Sequence, residues 1–65
     1  MIYLESTAIE AVEYHPSSRT LLIWFPEHGP YTFVGVPASV YQGLLHADSA
    51  GRYYKENIEG DYQAS

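Results

Sequence analysis

The sequence predicts an α+β fold: a three-stranded antiparallel β-meander followed by two short α-helices, in the order βββαα. Three observations predict it. The uninterrupted apolar run TLLIWF at residues 20–25 has the length of a buried strand and carries the Ile, Trp and Phe that strands favour. Two short connections, HPSSR and PEHG, bracket that run, and connections this short join antiparallel neighbours. Past Pro37 the spacing of apolar residues lengthens from the strand period to the helix period.

The first strand is expected over AIEAVEY, residues 8–14, where Ile9 and Ala11 share one face and Glu10, Val12 and Tyr14 the other. HPSSR follows as a turn, because Pro16 presets its backbone angle and two serines offer local hydrogen bonds. TLLIWF is the second strand and PEHG the second turn. PYTFVGV, residues 30–36, is the third strand, and alternation points Tyr31 and Phe33 one way and Thr32 and Val34 the other. Pro37 closes the sheet and suits an early helical position, since its missing N–H is not needed there. In the first helix Val40, Leu44 and Ala47 form a stripe, with Tyr41 and Leu45 beside it. Asp48 or Ser49 then caps a second helix whose inward face carries Tyr54 and Ile58, with Gly60 as terminator. Two such helices cover one face of the sheet and leave the other open.

A chain of 65 residues makes one domain, here 1–65, with 1–6 and 61–65 expected as loose ends. Domains this small need extra burial or a staple. With no cysteine, disulfides and thiolate zinc sites are excluded, and His15, His28 and His46 lack the spacing of metal ligands. Self-association into a homo-oligomer is the remaining source of burial. The seven Tyr, two Phe and one Trp fit that expectation, because a core this small cannot hide them all.

The formal net charge of −5 opposes non-specific binding to nucleic acid, which depends on cations neutralising phosphates, and opposes an anionic membrane surface equally. No apolar run approaches the ~20 residues a bilayer-spanning helix needs. The N-terminal segment MIYLESTAIE has an acid where a signal peptide would carry positive charge. A soluble, cytoplasmic protein is expected.

The order of Ser6, Ile9, Tyr14, Leu22, Phe25, Gly29, Tyr31, Phe33, Val36, Pro37, Val40, Tyr41, Leu44, Ala47, Ser49, Gly51, Tyr53, Tyr54 and Ile58 resembles the KTSC domain. That module is named for its place at the C-terminus of some lysyl-tRNA synthetases, and it also occurs alone as a small bacterial or phage protein. Its central Tyr-x-Tyr corresponds to Tyr31-Thr32-Phe33, where the second ring has lost its hydroxyl, and its A-x-S-x-G-x-Y piece runs intact from Ala47 to Tyr53. The resemblance implies the fold, no catalytic apparatus and no cofactor. It also brings the family's usual suggestion of RNA binding.

The residues themselves agree that no enzyme is encoded. There is no nucleophile elbow, P-loop or Gly-x-Gly-x-x-Gly. The informative stretch is Ser49 to Lys55, which holds two of only three basic residues. At a helix start, free N–H groups and the positive end of the dipole favour an anion, Arg52 can grip a phosphate in two places, and Lys55 adds a point charge. The competing reading is structural: Ser49 caps, Gly51 gives clearance to a packed strand, and Arg52 pairs with a surface acid. Nearby aromatics point to an anion that carries a ring, since bases stack on aromatic side chains. The candidate ligand contacts are Ser49, Gly51, Arg52, Tyr53 and Lys55, with Tyr31 and Phe33 if their face looks onto that helix start.

The leading expectation is a binding module for a nucleotide-type small molecule, working as a homo-oligomer because a pocket of ~300–1,000 Å³ is hard to build within so short a chain. One form is a phage-encoded sponge, in the host-cell cytoplasm, that sequesters a nucleotide immune signal. The alternatives are an RNA-binding accessory module and a protein-interaction module using an aromatic face.

Overall fold

In the computed structural model, which describes residues 1–64, the element order is β1 (Ile2–Tyr3), β2 (Ala11–His15), β3 (Thr20–Phe25), β4 (His28–Phe33), α1 (Ala38–His46) and α2 (Ala50–Asn57). The strands form one antiparallel sheet of four in the order β1-β2-β3-β4. The expected meander is therefore present with one strand more. Ile2 and Tyr3, expected as part of a loose end, pair with Val12 and Ala11. At the other end Ala64 bridges to Phe33. Neither contact has a local pattern, because a two-residue strand is held by the ladder it joins rather than by its own periodicity.

The remaining boundaries shift for identifiable reasons. β2 begins at Ala11 rather than residue 8, because Ser6 Oγ accepts the N–H groups of Ala8 (3.1 Å) and Ile9 (3.3 Å) and folds that segment into a turn. The PEHG turn contracts to Pro26-Glu27, since Phe25 pairs with His28. Glu27 supplies the positive φ of 67° that closes it. β4 consequently ends at Phe33, short of the expected 36. Gly35 turns the chain with φ 73°, and Val36 donates its N–H to Arg19 O at 2.9 Å.

Within β4, Ile23 pairs with Tyr31 and Phe25 with His28, so Gly29 and Pro30 together oppose Trp24. This is a β-bulge, and it reverses the alternation across it. Gly29 is required there: its φ is 118°, and a Cβ would lie 3.0 Å from Ile23 O and 3.1 Å from Trp24 Cα.

Register settles the faces. Val12, Ile23 and Tyr31 form one row and Tyr14, Leu21 and Phe33 the next, all on the side covered by the helices. Ala11 with Trp24, and Glu13 with Leu22 and Thr32, lie on the open side. The core joins Ile9, Val12, Leu21, Ile23, Phe33 and Val36 to Tyr41 and Leu44 from α1 and Ile58 from the end of α2. The inward stripe of α1 is centred on Tyr41 and Leu44, while Val40 and Leu45 flank it half-buried. Pro37 is the N-cap of α1 rather than its first residue, and its carbonyl accepts the N–H groups of Val40 and Tyr41. α2 ends at Asn57, before Gly60, in a turn that buries Ile58 and packs Tyr62 against the core.

The chain leaving β4 is fastened through Tyr14. Its hydroxyl donates to Val36 O at 2.6 Å, and its ring stacks on Tyr41 at 4.6 Å between centroids. Tyr14→Phe keeps the stack and strips a part-buried carbonyl of its donor, a loss of about 1 kcal/mol. For a domain this size that lowers the melting temperature by about 4–8 °C. An unchanged melt in circular dichroism would show that water replaces the phenol without cost.

Candidate functional site

The start of α2 is local in sequence and forms as expected. Ser49 has extended backbone and its Oγ accepts the Arg52 N–H at 3.3 Å, while Ser49 O accepts the Tyr53 N–H. Ser49, rather than Asp48, is thus the cap. Part of the helix terminus is satisfied from within, and less of it is left for a ligand. Gly51 has a packing reason as well, because a Cβ there would lie 2.7 Å from the Ala8 methyl group.

The side chains that follow are directed to a common place. A concavity of about 660 Å³ is lined by Ala8 and Ile9 before β2, Phe25 at the end of β3, His28 and Tyr31 on β4, Ser49, Gly51, Arg52, Tyr54 and Lys55 from α2 and its cap, and Glu59 just beyond it. One chain therefore lines an open hollow whose volume falls within the usual ligand-site range of ~300–1,000 Å³. Arg52, Lys55, His28, Tyr31 and Glu59 are solvent-exposed and form its rim. Ile9 is fully buried beneath.

One wall is aromatic. The Phe25 ring meets Tyr31 edge-on at 5.3 Å and Tyr54 edge-on at 5.2 Å, and Tyr54 in turn meets Phe33 at 5.9 Å. Burial first, then the Glu59 carboxylate and Tyr31, push the Tyr54 phenol above its usual pKa. It stays a neutral donor through neutral and mildly alkaline pH.

Among the described residues neither Arg52 nor Lys55 forms an ion pair; the pairs present join Glu13 to the N-terminal ammonium and to His15. The surface-acid partner that would make Arg52 purely structural is not among those pairs. His28 adds a titratable imidazole to the same rim.

Tyr31, Ser49, Gly51, Arg52 and Lys55 are thus brought together, and two other candidates are not. Phe33 shares the face of Tyr31 but is 1% exposed, sealed by Tyr54, and has no surface to offer. Tyr53 points to the other side of α2, where it lines a smaller hollow of about 280 Å³ with Ala47, Asp48, Ser49, Arg52 and Glu56. Its ring lies over Gly43 of α1, where any Cβ would collide with it. Sequence reasoning missed Phe25, His28, Tyr54 and Glu59 as lining residues. For His28 a signal existed: Gly and Pro inside a strand mark a bulge, and across a bulge residues 28 and 31 share a face.

On the open face Tyr3 is 67% exposed and Val34 57%, with Trp24 and Leu22 half-buried between them and the ladder. No group of three His, Cys, Asp or Glu able to hold a metal occurs among the described residues. No helix among them is long and apolar enough to cross a membrane.

Comparison with known proteins places the chain and its fold in a family. The family model for the KTSC domain matches residues 5–62. A crystal structure of a KTSC domain protein from Yersinia pestis superposes with a TM-score of 0.92 at 33% identity, covering 97% of this chain and 89% of that one. A protein of Tsukamurella paurometabola is 34% identical over 61 residues, which cover 94% of this chain and 91% of the relative. A lysine–tRNA ligase of Nostoc is 32% identical over 59 residues, which are 91% of this chain but 10% of the ligase.

Proposed function

This chain belongs to the KTSC domain family, and we propose that it is a non-enzymatic binding module whose pocket takes a nucleotide-type small anion. One observation carries the proposal: in a chain with eight acids and three bases, Arg52 and Lys55, which form no ion pair among the described residues, stand on the rim of a pocket lined by Phe25, Tyr31 and Tyr54. Two cations suit a phosphate, and aromatic rings beside them suit a base. Binding without turnover removes the ligand from solution, so sequestration of a nucleotide signal is the physiological form the proposal takes.

A homo-oligomer is not needed to complete this pocket, because one chain lines it. Self-association rests instead on the exposed Ile2, Tyr3 and Val34. A second reading, an RNA-binding accessory module, is supported by the lysine–tRNA ligase relative. The net charge of −5 weighs against it, since only three basic residues, Arg19, Arg52 and Lys55, are present to offset the repulsion a long polyanion meets.

Titration calorimetry against nucleoside mono- and diphosphates, cyclic dinucleotides and a short RNA separates these readings. Arg52→Ala is expected to abolish nucleotide binding while moving the melting temperature by no more than about 4 °C, because the side chain is exposed. Nucleotide binding that persists in this variant overturns the anion site. RNA binding that persists at ~0.15 M salt, without free-nucleotide binding, transfers the function to the second reading.

A further inference from the structure

The pocket has two chemically different ends. Arg52 lies in the first turn of α2 and Lys55 in its last, whereas Glu59 lies two residues beyond the helix's final residue, Asn57. The helix alone advances ~7.5 Å from Arg52 to Asn57. Glu59 is held at its end by the turn in which its N–H donates to Tyr54 O at 2.8 Å. The Tyr54 and Tyr31 side chains line the same pocket as the Glu59 carboxylate. Lys55 and Glu59 are four residues apart, yet among the described residues they form no ion pair. That order along a helix is the less favourable one for pairing. The acid is therefore left facing the pocket together with two phenols.

A carboxylate only accepts hydrogen bonds, and its two oxygens suit two parallel N–H donors. Among the common bases, guanine alone presents two adjacent donors on one edge, N1–H and the N2 amino group. Adenine and cytosine offer an amino group beside a bare ring nitrogen. Uracil places carbonyl oxygens on both sides of its single N–H, and these repel a carboxylate. The neutral Tyr54 phenol is also available as a donor to a base carbonyl such as O6 of guanine.

Resting on the reading of the pocket as a nucleotide site, we infer that it selects guanine nucleotides and that Glu59 is the residue that specifies the base. The phosphate lies at Arg52 and Lys55, the purine lies along Phe25, Tyr31 and Tyr54, and the N1–N2 edge meets Glu59.

The test is titration calorimetry of the full chain with GMP, IMP and AMP, on the unaltered protein and on the Glu59→Gln and Arg52→Ala variants. IMP keeps the N1–H and lacks the N2 amino group, so it isolates the second donor. GMP is expected to bind at least about tenfold more tightly than IMP or AMP, the discrimination of one bidentate pair. Glu59→Gln puts an amide N–H₂ where an acceptor stood, so it should abolish the preference for GMP over AMP. Glu59 is exposed, and an unaltered melt of the variant confirms that folding is intact. Equal affinity for GMP and AMP, or a guanine preference that survives Glu59→Gln, overturns this inference. If AMP also binds and Arg52→Ala abolishes that binding, the nucleotide site itself still stands. Failure of all three nucleotides to bind overturns both.

Discussion

Phe33→Ala is expected to unfold the domain at 25 °C. Phe33 is among the largest fully buried side chains, pairs with Leu21 across the ladder and receives the edge of Tyr54 at 5.9 Å. Truncating a buried Phe to Ala costs about 3–5 kcal/mol. A single core below ~70–80 residues supplies only about 3–5 kcal/mol in total. The two quantities are of the same size, so the far-UV circular dichroism of the native sheet should be lost or the melt moved by more than ~15 °C. A fall of less than ~5 °C would mean that the core closes over the gap and that Phe33 is not its keystone. Tyr31→Ala supplies the contrast. Tyr31 is 41% exposed and its ring contact is the edge of Phe25, so its loss leaves the fold standing and removes one wall of the pocket. Two rings separated by one residue, on one face of one strand, thus divide between core and site.

That division shows where sequence reading stops. Alternation places Tyr31 and Phe33 on one face but says nothing of depth. Depth is set by where α2 lies, and α2 brings Tyr54 over Phe33 while leaving Tyr31 at the rim. Features that depend on near neighbours are legible. TLLIWF becomes β3 over the same residues, the period changes past Pro37, and Ser49 caps α2. Features that depend on distant partners are not. Ile2-Tyr3 becomes a strand only because β2 presents a free edge to it, and Val36 leaves the sheet because Arg19 O is there to receive its N–H.

The candidate site divides in the same way. Ser49, Gly51, Arg52 and Lys55 are close in sequence and stay together in space. Phe25, His28 and Glu59 reach the same pocket through a hairpin, a bulge and a helix end. Gly51 is expected from the sequence to give clearance to a packed strand, and the clearance it gives is to Ala8, in the turn that precedes β2.

Gly43→Val should destabilise the domain by about 2–3 kcal/mol, and Tyr53→Ala should take much of that loss back. At position 43 of α1 a Cβ would overlap the phenol of Tyr53 from α2. Ala or Val is a better intrinsic helix former than Gly by up to ~1 kcal/mol, so an isolated helix would gain from the change. In the folded protein the ring has to move, and it is fixed between the two helices whose packing is at stake. Overpacking of this kind costs about 1–3 kcal/mol and occasionally more, which exceeds the propensity gain. Tyr53→Ala alone loses part of a half-buried ring and is itself destabilising. In the double variant the valine methyls occupy the space the ring has left, so the two losses should not add. A coupling of at least ~1 kcal/mol in a denaturant double-mutant cycle is expected for residues in contact. Strictly additive losses would mean that Tyr53 does not rest on Gly43, and Tyr53 would then be free to turn toward the pocket beside Arg52. Coupling together with unchanged nucleotide affinity in Tyr53→Ala assigns this tyrosine to the helix–helix contact and leaves the ligand to the rings on the sheet side of α2.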